Sequence, residues 1–423
     1  MNAVFNSAFP VWIIAALAAL GVIARPFRLP EAVWAVLGAL LLCVLGMLPW
    51  PQALHAVGKG TDVYLFLAGM MLASELARKE GLFDYLAVLA ARRADGSATR
   101  LFFLLYCVGA IVTITMSNDA TAVVLTPAVL AVVRTVKARQ PLPYLYACAF
   151  VANAASFVLP ISNPANLVIF GEHMPTLSQW LARFLLPSAL AIVLTYLILR
   201  VLQREALAQA IDKETEVPAL SAAGKATGWG IALMAVVMLT ASALGVSLGW
   251  PTFAAGIAVF LGICVQKRQV LWHYLAEISW SVLPLVAGLF VLVEGLARTG
   301  VIDRLAHAVS ALSAHSVSHA GLLSGVSVAL ASNLINNLPA GLIAGNTVAA
   351  AHAPAQVLNA VLVGIDLGPN LSVTGSLATI LWLAALRREG VEVKAVAFLK
   401  LGVATMLPAL LVALAALTLM PAS

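Results

Sequence analysis

Apolar runs of 15 or more residues recur along the chain from residue 11 to residue 420, separated by short clusters rich in Arg, Lys, Pro and Gly. Runs of that length predict helices that cross a bilayer, whereas the strands of a membrane barrel would give short alternating segments. Ten spans are predicted, at 10–24, 31–49, 62–77, 143–170, 185–203, 228–246, 252–266, 279–297, 355–385 and 396–420. Two further apolar segments fit neither one span nor two. Between Arg100 and Arg134 the only polar cluster lies in "TITMSNDATAVVLTP" (113–127). As a single helix this segment would be about 50 Å long, against a hydrocarbon core of about 30 Å. A hairpin of two half-length helices fits the length, with both ends on one side of the membrane and Ser117, Asn118 and Asp119 at its tip. The segment from His319 to His352 repeats the plan around "ASNLINNLPAG" (331–341).

Composition agrees with the pattern. Of 423 residues, 62% are hydrophobic and 10% charged, and the mean hydropathy is +1.00, far from the quarter or so of charged residues in soluble domains. The first apolar run has no basic residue before it, the reverse of a secretory signal, and is read as a retained first helix. The net charge of +6 comes from residues flanking apolar runs, as topology signals do, so nucleic-acid binding is excluded. Cys43, Cys107, Cys148 and Cys264 are scattered through apolar segments without a C-x-x-C pair, and are read as buried small hydrophobes.

The two halves of the chain resemble each other. Adding 219 carries Gly69 to Gly288, Glu75 to Glu294, Gly81 to Gly300, Asp84 to Asp303, Leu86-Ala87 to Leu305-Ala306, and Asn118 to Asn337. An offset of 213 lays "NAASFVLPISNPANL" (153–167) on "DLGPNLSVTGSLATI" (366–380), both of them helices interrupted by Pro, Ser and Asn. Such matches predict an internal duplication of the kind transporters use. No Lys or Arg occurs from Leu305 to Leu386, whereas Arg92, Arg93, Arg100, Arg134, Lys137 and Arg139 bracket the first hairpin. By the positive-inside rule the first hairpin enters from the cytoplasm and the second from outside, so the repeats are inverted. With both termini outside, 20 of the 24 basic residues lie on the cytoplasmic side, leaving Lys59, Arg183, Arg298 and Arg304 outside. The fold expected is an all-α polytopic membrane protein of about ten spans plus two re-entrant hairpins. Residues 1–203 would form the first repeat, 204–227 a cytoplasmic linker, and 228–423 the second repeat.

Hairpin tips and broken helices leave backbone groups free to bind a solute near the bilayer midplane. The predicted lining comprises Ser117, Asn118, Asp119 and Thr121 from one tip, and Ser332, Asn333, Asn336 and Asn337 from the other. Asn153, Ser162, Asn163 and Asn166 come from the first break; Asp366, Asn370, Ser372, Thr374, Ser376 and Thr379 come from the second. This set is rich in amides and hydroxyls, holds two carboxylates and has no basic residue. It suits a small polyhydroxylated neutral solute or a weakly hydrated cation better than a dianion. A carboxylate at membrane depth costs about 2.5–3.5 kcal/mol and marks a functional site unless partnered. Withdrawal from water disfavours its charged form, so Asp119 and Asp366 are the candidate proton carriers. The competing reading makes each a helix cap. Glu75 and Glu294 could join a proton path or form ion pairs. His315 and His319 have the spacing of helical metal ligands without a third ligand, and are read as interfacial. The stretch "LFDYLAVLAARR" (82–93) is read as an interfacial helix. No nucleophile–base pairing, metal motif or nucleotide loop points to an enzyme or to a cofactor.

At these motifs the chain resembles a known family. The segments "SNDATAVVLTP", "FVANAASFVLPISNPANLVIFG" (150–171), "SNLINNLPAGL" and "GIDLGPNLSVTGSLATILWL" (364–383) are similar to those of the arsenical pump membrane proteins, permeases of the ion transporter superfamily. The resemblance covers nearly the whole chain, and the "GxDLGPN…GSLAT" stretch is its most specific part. It implies efflux of arsenite and antimonite across a bacterial inner membrane, driven by proton antiport or assisted by a soluble ATPase partner. It also implies an elevator-like arrangement, with a scaffold able to form a homodimer and a transport part that moves as a body. Arsenous acid is neutral and presents three hydroxyls, in agreement with the site composition. Where family members carry an acidic residue in the first broken helix this chain has Asn153, so proton sites do not transfer one to one. Sodium/proton antiporters and sodium-coupled carboxylate transporters of the superfamily share the hairpin tips and remain the alternatives.

Overall fold

The computed structural model describes residues 2–213, 219–268 and 272–420. Among them the chain is helical, without a strand ladder, as the apolar periodicity requires. Six helices are long and apolar enough to cross a bilayer alone; Val282–Ala297 and Val301–His315, bent by 74° at their junction, would make a seventh. The other predicted spans are shorter or interrupted. The 31–49 span is the helix Glu31–Val44 followed by a separate amphipathic helix, Trp50–Lys59, because Gly46 turns the chain with φ +70° and Pro49 precedes the new start. The 62–77 span, Thr61–Lys79, carries Asp62, Glu75, Arg78 and Lys79.

Each predicted hairpin is a pair of helices, but its entering arm, Ala98–Thr115 or Val317–Ile335, is long and apolar enough to cross a bilayer alone and is not the half-length helix expected. The first runs from Ala98–Thr115 through a turn to Ala120–Leu125, a π-helical stretch, and Thr126–Thr135. The second comprises Val317–Ile335 and Asn337–Ala350. Ser97 and Ser316 cap the entering arms by accepting a backbone N–H. The helices broken by Pro and Asn are Leu142–Ala154 with Pro164–Phe170, and Ala355–Leu367 with Leu377–Arg388.

Two pairs of matched glycines have the same task in each half. Gly81 and Gly300 take φ +73° and +75° and turn the chain between the helices they separate, a conformation that costs a β-carbon dearly. Gly69 lies against the backbone of Thr252 and Gly288 against that of Ala35, so each lets its helix pack closely on a neighbour. The stretch 82–93 is the helix Leu82–Ala94. Tyr146, Phe150, Trp382 and Phe398 cluster with ring centroids 5.1–6.5 Å apart, at about 0.5–1.5 kcal/mol per pair. The cluster fastens both broken helices to the last long helix, Ala395–Thr418. The linker is shorter than expected, since the helix Ala222–Ala243 begins inside it. Its first part is strapped to the base of the first hairpin: Ile211 N donates to Gly96 O, Asp212 N donates to Val136 O, and Lys137 pairs with Asp212 at 2.8 Å.

Candidate functional site

The two tips and two breaks meet. A narrow crevice with room for about one water is lined by Asn118 and Asp119 from the first tip, Asn163 and Pro164 from the first break, Asn337 and Leu338 from the second tip, and Ser376, Leu377 and Ala378 from the second break. Leu67 and Val282, from the helices preceding each hairpin unit, close it. Asp119 also borders a cavity of about 700 Å³ whose lining includes Arg78, Glu277, Arg388 and Glu389, at the ends of helices. The crevice adjoins this larger space, the vestibule, and Asp119 lines both.

Four helices begin at this point, each with a capped first turn. Ser117 Oγ accepts from Ala120 N at 3.2 Å, Asn163 Oδ1 from Ala165 N at 3.0 Å, Asn336 Oδ1 from Leu338 N at 3.4 Å, and Ser376 Oγ from Thr379 N at 3.1 Å. Asn336 does so with φ +74° and ψ 154°, a backbone region almost confined to glycine that costs a side chain about 1–3 kcal/mol. Helix N-termini carry partial positive charge, so the crevice is electropositive without a Lys or Arg in its lining. Asp119 neither caps a helix nor bonds another described residue. Its capping role falls to Ser117, and its charge is left to the crevice.

Asp366 has a different position. It is fully buried in Ala355–Leu367, borders neither space, and contacts Ser156 Oγ at 2.5 Å and Asn163 Nδ2 through Oδ1. Asn153 Nδ2 donates to Asn370 Oδ1 at 3.0 Å, and Asn370 Nδ2 donates to Phe150 O at 3.0 Å. The two broken helices are therefore cross-linked by side chains. Several predicted site residues are likewise engaged within the protein. Thr121 bonds Thr113 and Gly109 O; Ser162 donates to Ile114 O; Asn166 donates to Ser156 O; Ser332 donates to Ala329 O. Asn333 donates to Gly368 O and accepts from Ser372, while Thr374 donates to Asn333 O and Thr379 bonds Ser376. Apart from Ser376, these groups do not line the crevice.

Glu75 accepts two bonds from Arg78, which also reaches Glu277, and Lys79 pairs with Glu277. Its repeat counterpart Glu294 pairs with Lys59 at 3.1 Å. Both glutamates are thus ion-paired.

Over residues 11–365 the chain matches the family model described as citrate transporter, CitMHS. It belongs to that family. The transporter is 26% identical over 400 residues to an arsenical pump membrane protein of Escherichia coli, covering 91% of this chain and 92% of that protein. It is 27% identical over 401 residues to the arsenical pump membrane protein of Escherichia coli strain K12, with the same coverage. Among solved structures it is similar to the Alcanivorax borkumensis YdaH transporter, with a TM-score of 0.57 and 19% identity over 86% of each chain. That likeness shows the fold. It is a multi-pass membrane transporter and not an enzyme.

Two features of the transporter's site escaped the sequence reading. Ser156, three residues after Asn153, bridges the broken helices, and only the pairing of Asp366 with its hydroxyl reveals it. The vestibule wall formed by Glu277, Ile278 and Ser279 lies at the very start of the predicted 279–297 span, where the pattern marks no site.

Proposed function

We propose that this protein exports arsenite and antimonite, as their neutral trihydroxides, from the cytoplasm in exchange for protons. The observation that carries the reading is Asp119: an unpartnered carboxylate lies among four helix N-termini with no basic residue in the crevice lining. An anionic substrate would find its electrostatic place already taken, whereas a neutral solute rich in hydroxyls offers the donors a carboxylate accepts. The arsenical pump relatives support the same substrate class. In this reading the vestibule is the cytoplasmic entrance, since basic residues crowd its side of the chain, and both termini lie outside in an inner membrane. The two halves act as inverted repeats, with the hairpins and broken helices moving as a body against a scaffold able to dimerise. Deprotonated Asp119 receives the solute, and protonation from the outer side removes the acceptor charge and releases it. Asp366 is the second proton carrier. A soluble ATPase would act on the same permease from the cytoplasmic face.

The four N-termini also support a second reading, in which protonated Asp119 admits a carboxylate substrate such as the family description suggests. The basic groups lie outside the crevice lining: Arg78 is held by Glu75 and Glu277, and Arg388 lines only the vestibule. Everted vesicles energised by an imposed pH gradient separate the two. Gradient-driven arsenite uptake that citrate does not inhibit, and that Asp119→Asn abolishes, supports efflux. Citrate uptake, or uptake that needs sodium, supports the alternative.

A further inference from the structure

Adding 213 carries Asn153 to Asp366 and Asn163 to Ser376, and in the structure each pair of positions has one task. Asn153 and Asp366 are the penultimate residues of the helices that precede the breaks, Leu142–Ala154 and Ala355–Leu367. Asn163 and Ser376 are the N-caps of the helices that follow, Pro164–Phe170 and Leu377–Arg388. All four are buried. The two caps line the crevice, whereas Asn153 and Asp366 do not.

Each penultimate residue reaches across to the other broken helix. Asp366 Oδ1 accepts from the cap Asn163 through Nδ2 and from Ser156 Oγ at 2.5 Å, both in the first break. Asn153 Nδ2 donates to Asn370 Oδ1 at 3.0 Å, in the second break, and to Thr379 Oγ1 at 3.4 Å, in the first turn beyond it. Thr379 is in turn bonded to the cap Ser376 through its hydroxyl and its backbone N–H. Among the described residues neither side chain bonds its own break.

The partners also account for the difference between the two matched positions. Asn163 Oδ1 is engaged by Ala165 N, so its amide has only hydrogens to offer position 366. Position 366 must therefore accept, which either Asp or Asn can do. Asn370 Nδ2 is engaged by Phe150 O, so its amide has only an oxygen to offer position 153. Position 153 must donate, which Asn can do and an ionised Asp cannot.

We propose that Asn153 and Asp366 are reciprocal positioning residues: each fixes the start of the opposite half's second helix piece, so the two caps in the crevice lining keep one spacing. A buried polar group left without its partner is costly, so a change in one broken helix is felt at the break of the other. The consequence for solute rests on the transport reading, in which the spacing of Asn163 and Ser376 sets the width of the crevice.

Hydrogen–deuterium exchange on the full-length protein in lipid, without solute, tests this. Asp366→Ala should accelerate exchange across 156–166 about tenfold or more and leave 370–380 unchanged. Asn153→Ala should do the reverse, accelerating 370–380 several-fold and sparing 156–166. Asp366→Asn, which keeps an acceptor oxygen, should match the native protein, whereas Asn153→Asp, which loses the donor, should behave as Asn153→Ala. These near-isosteric variants serve if an alanine variant does not assemble. Acceleration at the mutated helix's own break, at both breaks alike or at neither would overturn the proposal, as would an Asp366→Asn that loosens 156–166. In calorimetry, antimonite affinity should fall in both alanine variants and be kept in Asp366→Asn. If the native protein binds no antimonite, the efflux reading alone fails, because the exchange pattern is read without solute.

Discussion

Replacing Asp119 by Asn isolates the charge that the site argument depends on. The side chain bonds no other described residue and caps no helix, so folding stability should change by less than about 0.5 kcal/mol, as for a substitution away from any packed or bonded feature. Binding should change much more. A hydrogen bond to a charged acceptor contributes about 1.5–3 kcal/mol and one to a neutral acceptor about 0.5–1.5. A trihydroxide can place one hydroxyl on each carboxylate oxygen; in Asn one hydroxyl meets a neutral acceptor oxygen and the other must turn its own oxygen to accept from the amide N–H, so each charge-assisted bond becomes a neutral one and loses about 1 kcal/mol. The sum of about 2 kcal/mol corresponds to an affinity about 30-fold lower. Titration calorimetry with antimonite on purified protein, paired with thermal unfolding, reads both quantities. Unchanged affinity would refute the role of Asp119 in binding. A fall in unfolding temperature equivalent to about 1 kcal/mol or more would show that its carboxylate supports the fold after all, as a cap would.

Other outcomes follow from the packing and the charges. Gly364→Ala would drive a methyl group into Gly325 O and Val328, where the second broken helix lies against the second hairpin. The cost should be about 1–3 kcal/mol, visible as a lower unfolding temperature, and an unchanged temperature would mean the two helices are not packed closely. A variant lacking Cys43, Cys107, Cys148 and Cys264, which are all free, should keep arsenite transport in vesicles; loss of transport would place thiolates in the mechanism. Glu277 is held below the usual glutamate range first by Lys79 and then by Arg78. Its stabilising contribution is therefore present above the ordinary glutamate value of about 4.3 and lost as pH falls through the depressed folded value. Hydrogen exchange in helix Trp272–Glu277 should accelerate only on acidification below about pH 4.3, and Glu277→Gln should remove that pH dependence.

Apolar run lengths and helix breakers along the chain were enough to give the membrane setting, the helical class and the places where helices break. These follow from local physics: apolar length measures the bilayer, and Pro, Gly, Ser and Asn inside an apolar run leave backbone groups that something must satisfy. The matched glycines are equally local, since Gly81 and Gly300 are needed wherever the chain must turn with positive φ. Tertiary structure decided which polar groups are free. Ser117, Asn163, Asn336 and Ser376 look alike in sequence to Asn118 and Asn337, yet the first four are consumed as helix caps. Asp119 and Asp366 are both lone acids in apolar runs, and only the meeting of four elements leaves one at a cavity and seals the other against Ser156. A hydrogen-bond partner 210 residues away has no periodicity to betray it, because pairing across the fold is set by how helices pack and not by the order in which they were written.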